Sequence, residues 1–96
     1  MWLTKEEQRN VTIRVKNLGE LCGMIEYPNT IFLDLRHIDN PIDTFVHEIL
    51  HRRFPNLTEK QIQLLEKETL KNLSLYQRWQ ILQFIARKAV IGGGDD

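Results

Sequence analysis

The chain has 96 residues and a mass of 11.4 kDa, of which 42% are hydrophobic and 27% charged, so it holds one domain with enough apolar surface for a core, and a multidomain machine is excluded. Thirteen Lys and Arg balance thirteen Asp and Glu, which leaves no basic field to neutralise phosphates; beyond a local patch at Arg52 and Arg53, no nucleic-acid partner is expected. Cys22 has no second cysteine to pair with, no apolar run approaches the roughly 20 residues that span a bilayer, and MWLTKEEQRN lacks a signal-peptide pattern, so the expectation is a cytoplasmic protein without a membrane partner.

Thr4 and Glu7 have capping-box spacing, which predicts at most a single helical turn ahead of Val11. From Val11 to Val15 apolar and polar residues alternate with period two, the pattern of a strand with one buried face. Residues 21–27 and 30–35 are β-rich runs separated by Pro28 and Asn29, and they predict a hairpin; Phe32 breaks strict alternation, which suggests a strand partly covered on both faces. Asn40 reads as an N-cap, Pro41 as the first helical residue and Asp43 as the carboxylate three residues on, opening a helix to about Phe54. Pro55 and Asn56 break it, and Thr58 caps a second helix running to about Leu73, with Glu59 in its first turn. Ser74 and Gln77 open a third helix to about Val90, which Gly92, Gly93 and Gly94 end. The expected fold is α+β, a small three-stranded sheet followed by three helices, with one domain over residues 1–91 and a flexible acidic tail over 92–96.

His47-Glu48-Ile49-Leu50-His51 is an HExxH sequence inside the first of those helices. Residues four apart lie on one helix face, so both imidazoles can reach one Zn²⁺ at about 2.0–2.1 Å while Glu48 sits beside it. Ile42, Phe45, Val46, Ile49 and Leu50 share one stripe of this helix, and the two histidines fall nearly opposite, where they are not satisfied within a core. At this composition HExxH arises by chance in roughly 1% of chains, before any demand for a helix.

A catalytic zinc takes a third protein ligand. No histidine follows at HExxHxxGxxH spacing, since Arg-Arg-Phe-Pro-Asn-Leu comes next. On the following helix Glu59 and Glu66 fall within the stripe that Ile62, Leu65, Leu70 and Leu73 define, and an inward carboxylate facing a histidine pair is an expected metal ligand. The spacing leaves both open, and Cys22 is a rival because peptide deformylases join HExxH to an upstream cysteine.

The run HEILHRRFPNLTEKQI resembles the minigluzincins, soluble minimal zinc metallopeptidases similar to catalytic domains of integral-membrane metallopeptidases. A strand precedes the HExxH helix, Phe54-Pro55-Asn56 closes it and a glutamate helix packs after it, so the resemblance covers residues 30–73. It implies His47 and His51 as zinc ligands, Glu48 as general base and, through the PN-x-[ST]-E element, Glu59 as the third ligand, with Glu66 in reserve. It also implies a zymogen whose C-terminal segment blocks the site. Asp95, Asp96 and the terminal carboxylate on a triglycine hinge suit that role by charge, and a helical swap in a homodimer is the related form.

The expected activity is hydrolysis of a peptide or protein substrate by a metal-activated water, with Glu48 moving the proton. The strand over residues 30–35 would offer its edge to an extended substrate, and His37, Tyr76 and Arg78 are candidates to stabilise the oxyanion. The alternative function is a non-catalytic zinc-binding module for protein interaction.

Overall fold

The computed structural model describes residues 1–34, Arg36 and residues 40–91, with Val90 and Ile91 described by their backbone alone. The elements in chain order are α1 (Lys5–Asn10), β1 (Thr12–Val15), β2 (Gly23–Glu26), β3 (Thr30–Leu33), α2 (Pro41–Arg53), α3 (Glu59–Asn72), α4 (Leu75–Lys88) and β4 (Ala89–Ile91). The three expected strands and three expected long helices are present in an α+β arrangement, and α1 and β4 add to them.

The sheet order is β2-β3-β1-β4. β2 and β3 form the antiparallel hairpin, with Glu26 opposite Thr30, whereas β1 runs parallel to both β3 and β4. The last helix was expected to reach about Val90, but α4 stops at Lys88 and Ala89 turns extended at φ −65° and ψ 128°. Residues 89–91 then pair with Ile13, Arg14 and Val15, because β-branched Val90 and Ile91 suit a strand and the otherwise open side of β1 offers ladder hydrogen bonds. The topology also corrects the expected substrate edge. β3 lies between β2 and β1, so its ladder is filled on both sides, and the edge strands are β2 and β4, of which β2 is the one beside β3.

One face of the sheet buries Ile13, Ile31 and Leu33 against Phe45, Val46 and Ile49 of α2, Ile62 of α3, and Ile81 and Phe84 of α4. Thr12 and Arg14 alternate with Ile13 and stay exposed, as period two requires. Phe45 and Phe84 meet with ring centroids 5.9 Å apart, joining α2 to α4. Capping boxes at Thr4/Glu7, Thr58/Gln61 and Ser74/Gln77 start α1, α3 and α4, each cap contributing about 1 kcal/mol. At α2 the Asn40 side chain accepts from the Ile42 N–H.

α2 is anchored at its far end by charge. Arg53 donates through Nε and Nη2 to the buried Glu7 carboxylate, both at 2.7 Å, and its guanidinium lies 4.1 Å from the Trp2 ring centroid. Arg52 forks onto Glu6 at 3.0 and 2.7 Å and reaches the Pro28 carbonyl and the Asn29 side chain in the hairpin turn. The basic patch allowed from the sequence is therefore committed internally. Its two guanidiniums hold the HExxH helix to α1 and to the β2–β3 turn.

Candidate metal centre

The apolar stripe of α2 faces the core, which turns His47 and His51 toward α3 and β2, with side chains only 18% exposed. Their Nε2 atoms lie 3.2 Å apart. Two nitrogens bound to one tetrahedral ion at about 2.0–2.1 Å would be about 3.3 Å apart, so the pair is already spaced for a shared cation. α3 packs against α2 and places Glu59 at its N-terminal end, from where the carboxylate spans both rings: Oε1 is 2.6 Å from His47 Nε2, and Oε2 is 2.9 Å from His51 Nε2. One ligand atom from each of the three residues falls within 4.8 Å of the others, an arrangement that could hold a metal ion.

Glu66, two turns along α3, meets His47 from the other side. His47 Nδ1–H donates to Glu66 Oε1 at 2.5 Å, which directs the Nε2 lone pair toward Glu59 and His51. The two glutamates that helix angles alone left open thus occupy different places, Glu59 with the Nε2 atoms and Glu66 behind the ring. Glu59 is also more exposed than its stripe position implied, at 58% of its side chain against 23% for Glu66.

Glu48 is buried beside this group, and desolvation pushes its carboxyl up to about 7, with His47 pulling it down and Glu59 and Glu66 adding to the rise. Burial lowers the His47 pKa, but the Glu66 hydrogen bond and the charges of Glu48, Glu59 and Glu66 outweigh it, leaving the imidazole above its ordinary value. A proton and a cation compete for the same Nε2 lone pair, so this carboxylate surround favours either.

A cleft of about 380 Å³ opens over the histidine pair, bounded by Leu21, Gly23, Met24, Ile25 and Tyr27 on the edge-strand side and by Glu48 and Glu59 opposite. Gly23 permits the approach of β2 to α2, since a Cβ there would stand 2.6 Å from Thr44 Cγ2. Tyr27 Oη–H donates to the His51 carbonyl at 3.3 Å. Nothing in the sequence marked Gly23 or Tyr27 as cleft residues beyond the turn signal of the adjoining Pro28.

The other candidates lie elsewhere. Cys22 borders the neighbouring cavity rather than the converging set. Arg78 donates to the Leu70 carbonyl at the end of α3, and Tyr76 is exposed and stacked on Trp79. Neither lines the cleft, so neither is placed to meet an oxyanion there. His37 and residues 92–96 are outside the described residues.

Compared with protein-family models, with curated proteins and with solved structures, the chain matches none. Among the described residues no helix is long and apolar enough to cross a membrane.

Proposed function

We propose that the protein is a zinc-dependent peptidase of the gluzincin-like type, acting on peptide or protein substrates in the cytoplasm. The observation that carries this reading is the convergence of two imidazole Nε2 atoms and the Glu59 carboxylate beside the buried Glu48. Two histidines and a carboxylate form a known protein ligand set of catalytic zinc, which keeps a further position for water, whereas structural zinc is closed by four protein ligands. When bound, zinc would supply Lewis-acid polarisation of a carbonyl and acidify a water molecule.

The chain's own groups do the rest. Glu48 takes the proton of the attacking water and returns it to the leaving amine, from its buried place beside the histidine pair. Glu66 fixes the tautomer and ring orientation of His47. The open edge of β2 lies along the cleft and suits an extended peptide paired through backbone hydrogen bonds, which gives weak sequence preference at most positions. Latency through the acidic C-terminal segment over residues 92–96 is part of this reading, on the charge of Asp95 and Asp96.

Glu48→Ala tests the reading. It should lower peptide hydrolysis by about 10²–10⁴-fold with zinc content retained, and undiminished hydrolysis would refute the assignment. Ending the chain after Ile91 should raise activity, and no rise would remove the tail as inhibitor. A non-catalytic zinc-binding interaction module is the second reading, favoured by the exposed Leu75, Tyr76, Trp79 and Leu82 on α4; under it wild type and Glu48→Ala show no difference in turnover.

A further inference from the structure

α4 is apolar on two sides. Its inner arc carries Ile81, Phe84 and Ile85, all buried in the core, while Leu75, Trp79, Leu82 and Ala86 fall within about 60° of one another on the outer side, at about 100° per residue. Tyr76 stands beside this outer ridge with its ring stacked on Trp79, 5.8 Å between centroids. The four large side chains are exposed by 42% at Leu82 to 87% at Leu75, which leaves roughly 500 Å² of mostly apolar surface on one helix face, a size that marks a contact site. A helix apolar all round is normally covered all round, and the described residues cover only one side of α4.

The pattern of the ridge indicates what covers the other. Leu75, Trp79, Leu82 and Ala86 follow one another at intervals of four, three and four, the seam of two helices packed knobs into holes. This seam is complementary to itself. With two α4 helices antiparallel about a two-fold axis near residues 80–81, Leu75 of one copy meets Ala86 of the other and Trp79 meets Leu82, so a larger side chain faces a smaller one in each layer. Charge agrees with that order. Arg87 is the one charged residue among the exposed positions of α4; antiparallel copies hold their two guanidiniums about 20 Å apart, beyond the Debye length of about 8 Å, whereas parallel copies set them side by side. A single cation on this face is also too few to draw the helix onto an anionic lipid surface.

A groove of about 280 Å³, lined by Met1, Trp79, Gln80, Gln83 and Arg87, borders the ridge on the side of Tyr76. Antiparallel pairing brings Tyr76 of the second copy level with Gln83 and Arg87, where its ring can enter the groove and face the guanidinium. Arg87 has no ion pair or hydrogen bond of its own among the described residues. Two such faces together bury on the order of 1,000 Å², the size at which specific interfaces begin.

We propose that the outer face of α4 binds a second copy of this chain through antiparallel pairing of the two α4 helices. The pairing is independent of the metal reading, since none of its residues lines the cleft over the histidine pair.

Sedimentation equilibrium of the full chain tests it. Between about 5 and about 500 μM the mass should rise from 11.4 kDa toward twice that value, and Trp79→Glu, which sets a charge in the middle of the seam, should stay at 11.4 kDa throughout with an unchanged circular dichroism spectrum. Cross-linking in a Cys22→Ser background tests the register. A mixture of Leu75→Cys and Ala86→Cys should form disulfide-linked dimers at least about tenfold faster than either variant alone, because like positions lie roughly 16 Å apart across the two-fold axis. A wild type monomeric at every concentration, a dimer that Trp79→Glu leaves intact, or equal cross-linking rates would overturn the proposal. For a monomeric wild type, a shift in tryptophan fluorescence on adding phosphatidylglycerol vesicles would assign the face to lipid, and no shift would assign it to a protein of different sequence. The cross-linking comparison decides alone if Trp79→Glu does not fold.

Discussion

Glu48 is the residue at which burial and charge act most directly on a reacting group. Its carboxyl is raised from 4.5 to about 7, chiefly by desolvation, so the folded metal-free protein prefers the protonated form. The unfolded chain gives up that proton above about 4.5, so the stability linked to protonated Glu48 is complete below that pH and is lost as pH rises through about 7. Glu48→Gln should therefore stabilise the metal-free protein at pH 8 by on the order of 2 kcal/mol and change little at pH 4, as read by urea denaturation. An equal effect at both pH values would contradict the burial argument. His47, Glu48 and His51 were legible in the sequence because i, i+4 spacing and the opposed apolar stripe fix their shared face. Glu59 and Glu66 were not separable, since they differ by only a small helix angle; what divides them is which side of the His47 ring each meets.

At the level of elements, the site depends on how α2 is held. The Arg53–Glu7 pair crosses from the end of α2 to α1, and Glu7 is also the capping-box carboxylate that receives the Thr4 N–H. Burial alone would raise the Glu7 pKa, but the Arg53 and Thr4 hydrogen bonds reverse this and hold it below its ordinary value, so its contribution is present above about pH 4.5 and declines as pH falls further. Arg53→Met strands a buried carboxylate and should cost about 3–5 kcal/mol in urea denaturation at pH 7, with a smaller cost at pH 3. A cost unaffected by pH would assign the role of Arg53 to packing on Trp2 instead. Gly23→Ala should force β2 away from α2, because Thr44 is stiff at χ1 and the Phe32 carbonyl stands 3.3 Å from the new Cβ. A loss of about 1–3 kcal/mol is expected, together with weaker binding of extended peptides; an unchanged melting curve would show that the close approach is not needed. Caps placed the starts of α2, α3 and α4 correctly from sequence. β4 escaped because Ala89, Val90 and Ile91 continue the apolar pattern of α4 without a breaker, and only the neighbouring β1 makes them a strand.

Over the whole molecule, the chain order converts a simple pattern into a site. The hairpin leaves β2 at the sheet edge, α2 crosses behind it with the histidine pair toward α3, and α3 brings two glutamates to opposite sides of one ring. The existence of β1 was readable from alternation, and that of β2 and β3 from β-rich runs about a turn. Sheet order was not, because the parallel pairing of β1 with β3 and β4 depends on contacts between distant segments, and the choice of edge strand follows from that order. The most direct measurement is bound metal per chain by elemental mass spectrometry, on protein purified without chelator or metal-affinity resin, in the wild type, His51→Ala, Glu59→Gln and Glu66→Gln. About one zinc per chain is expected, lost in His51→Ala and Glu59→Gln, with Glu66→Gln still binding but weakened about 10–100-fold in affinity. No zinc in the wild type even after adding it back, or zinc kept in Glu59→Gln and lost in Glu66→Gln, would contradict the site as the geometry arranges it.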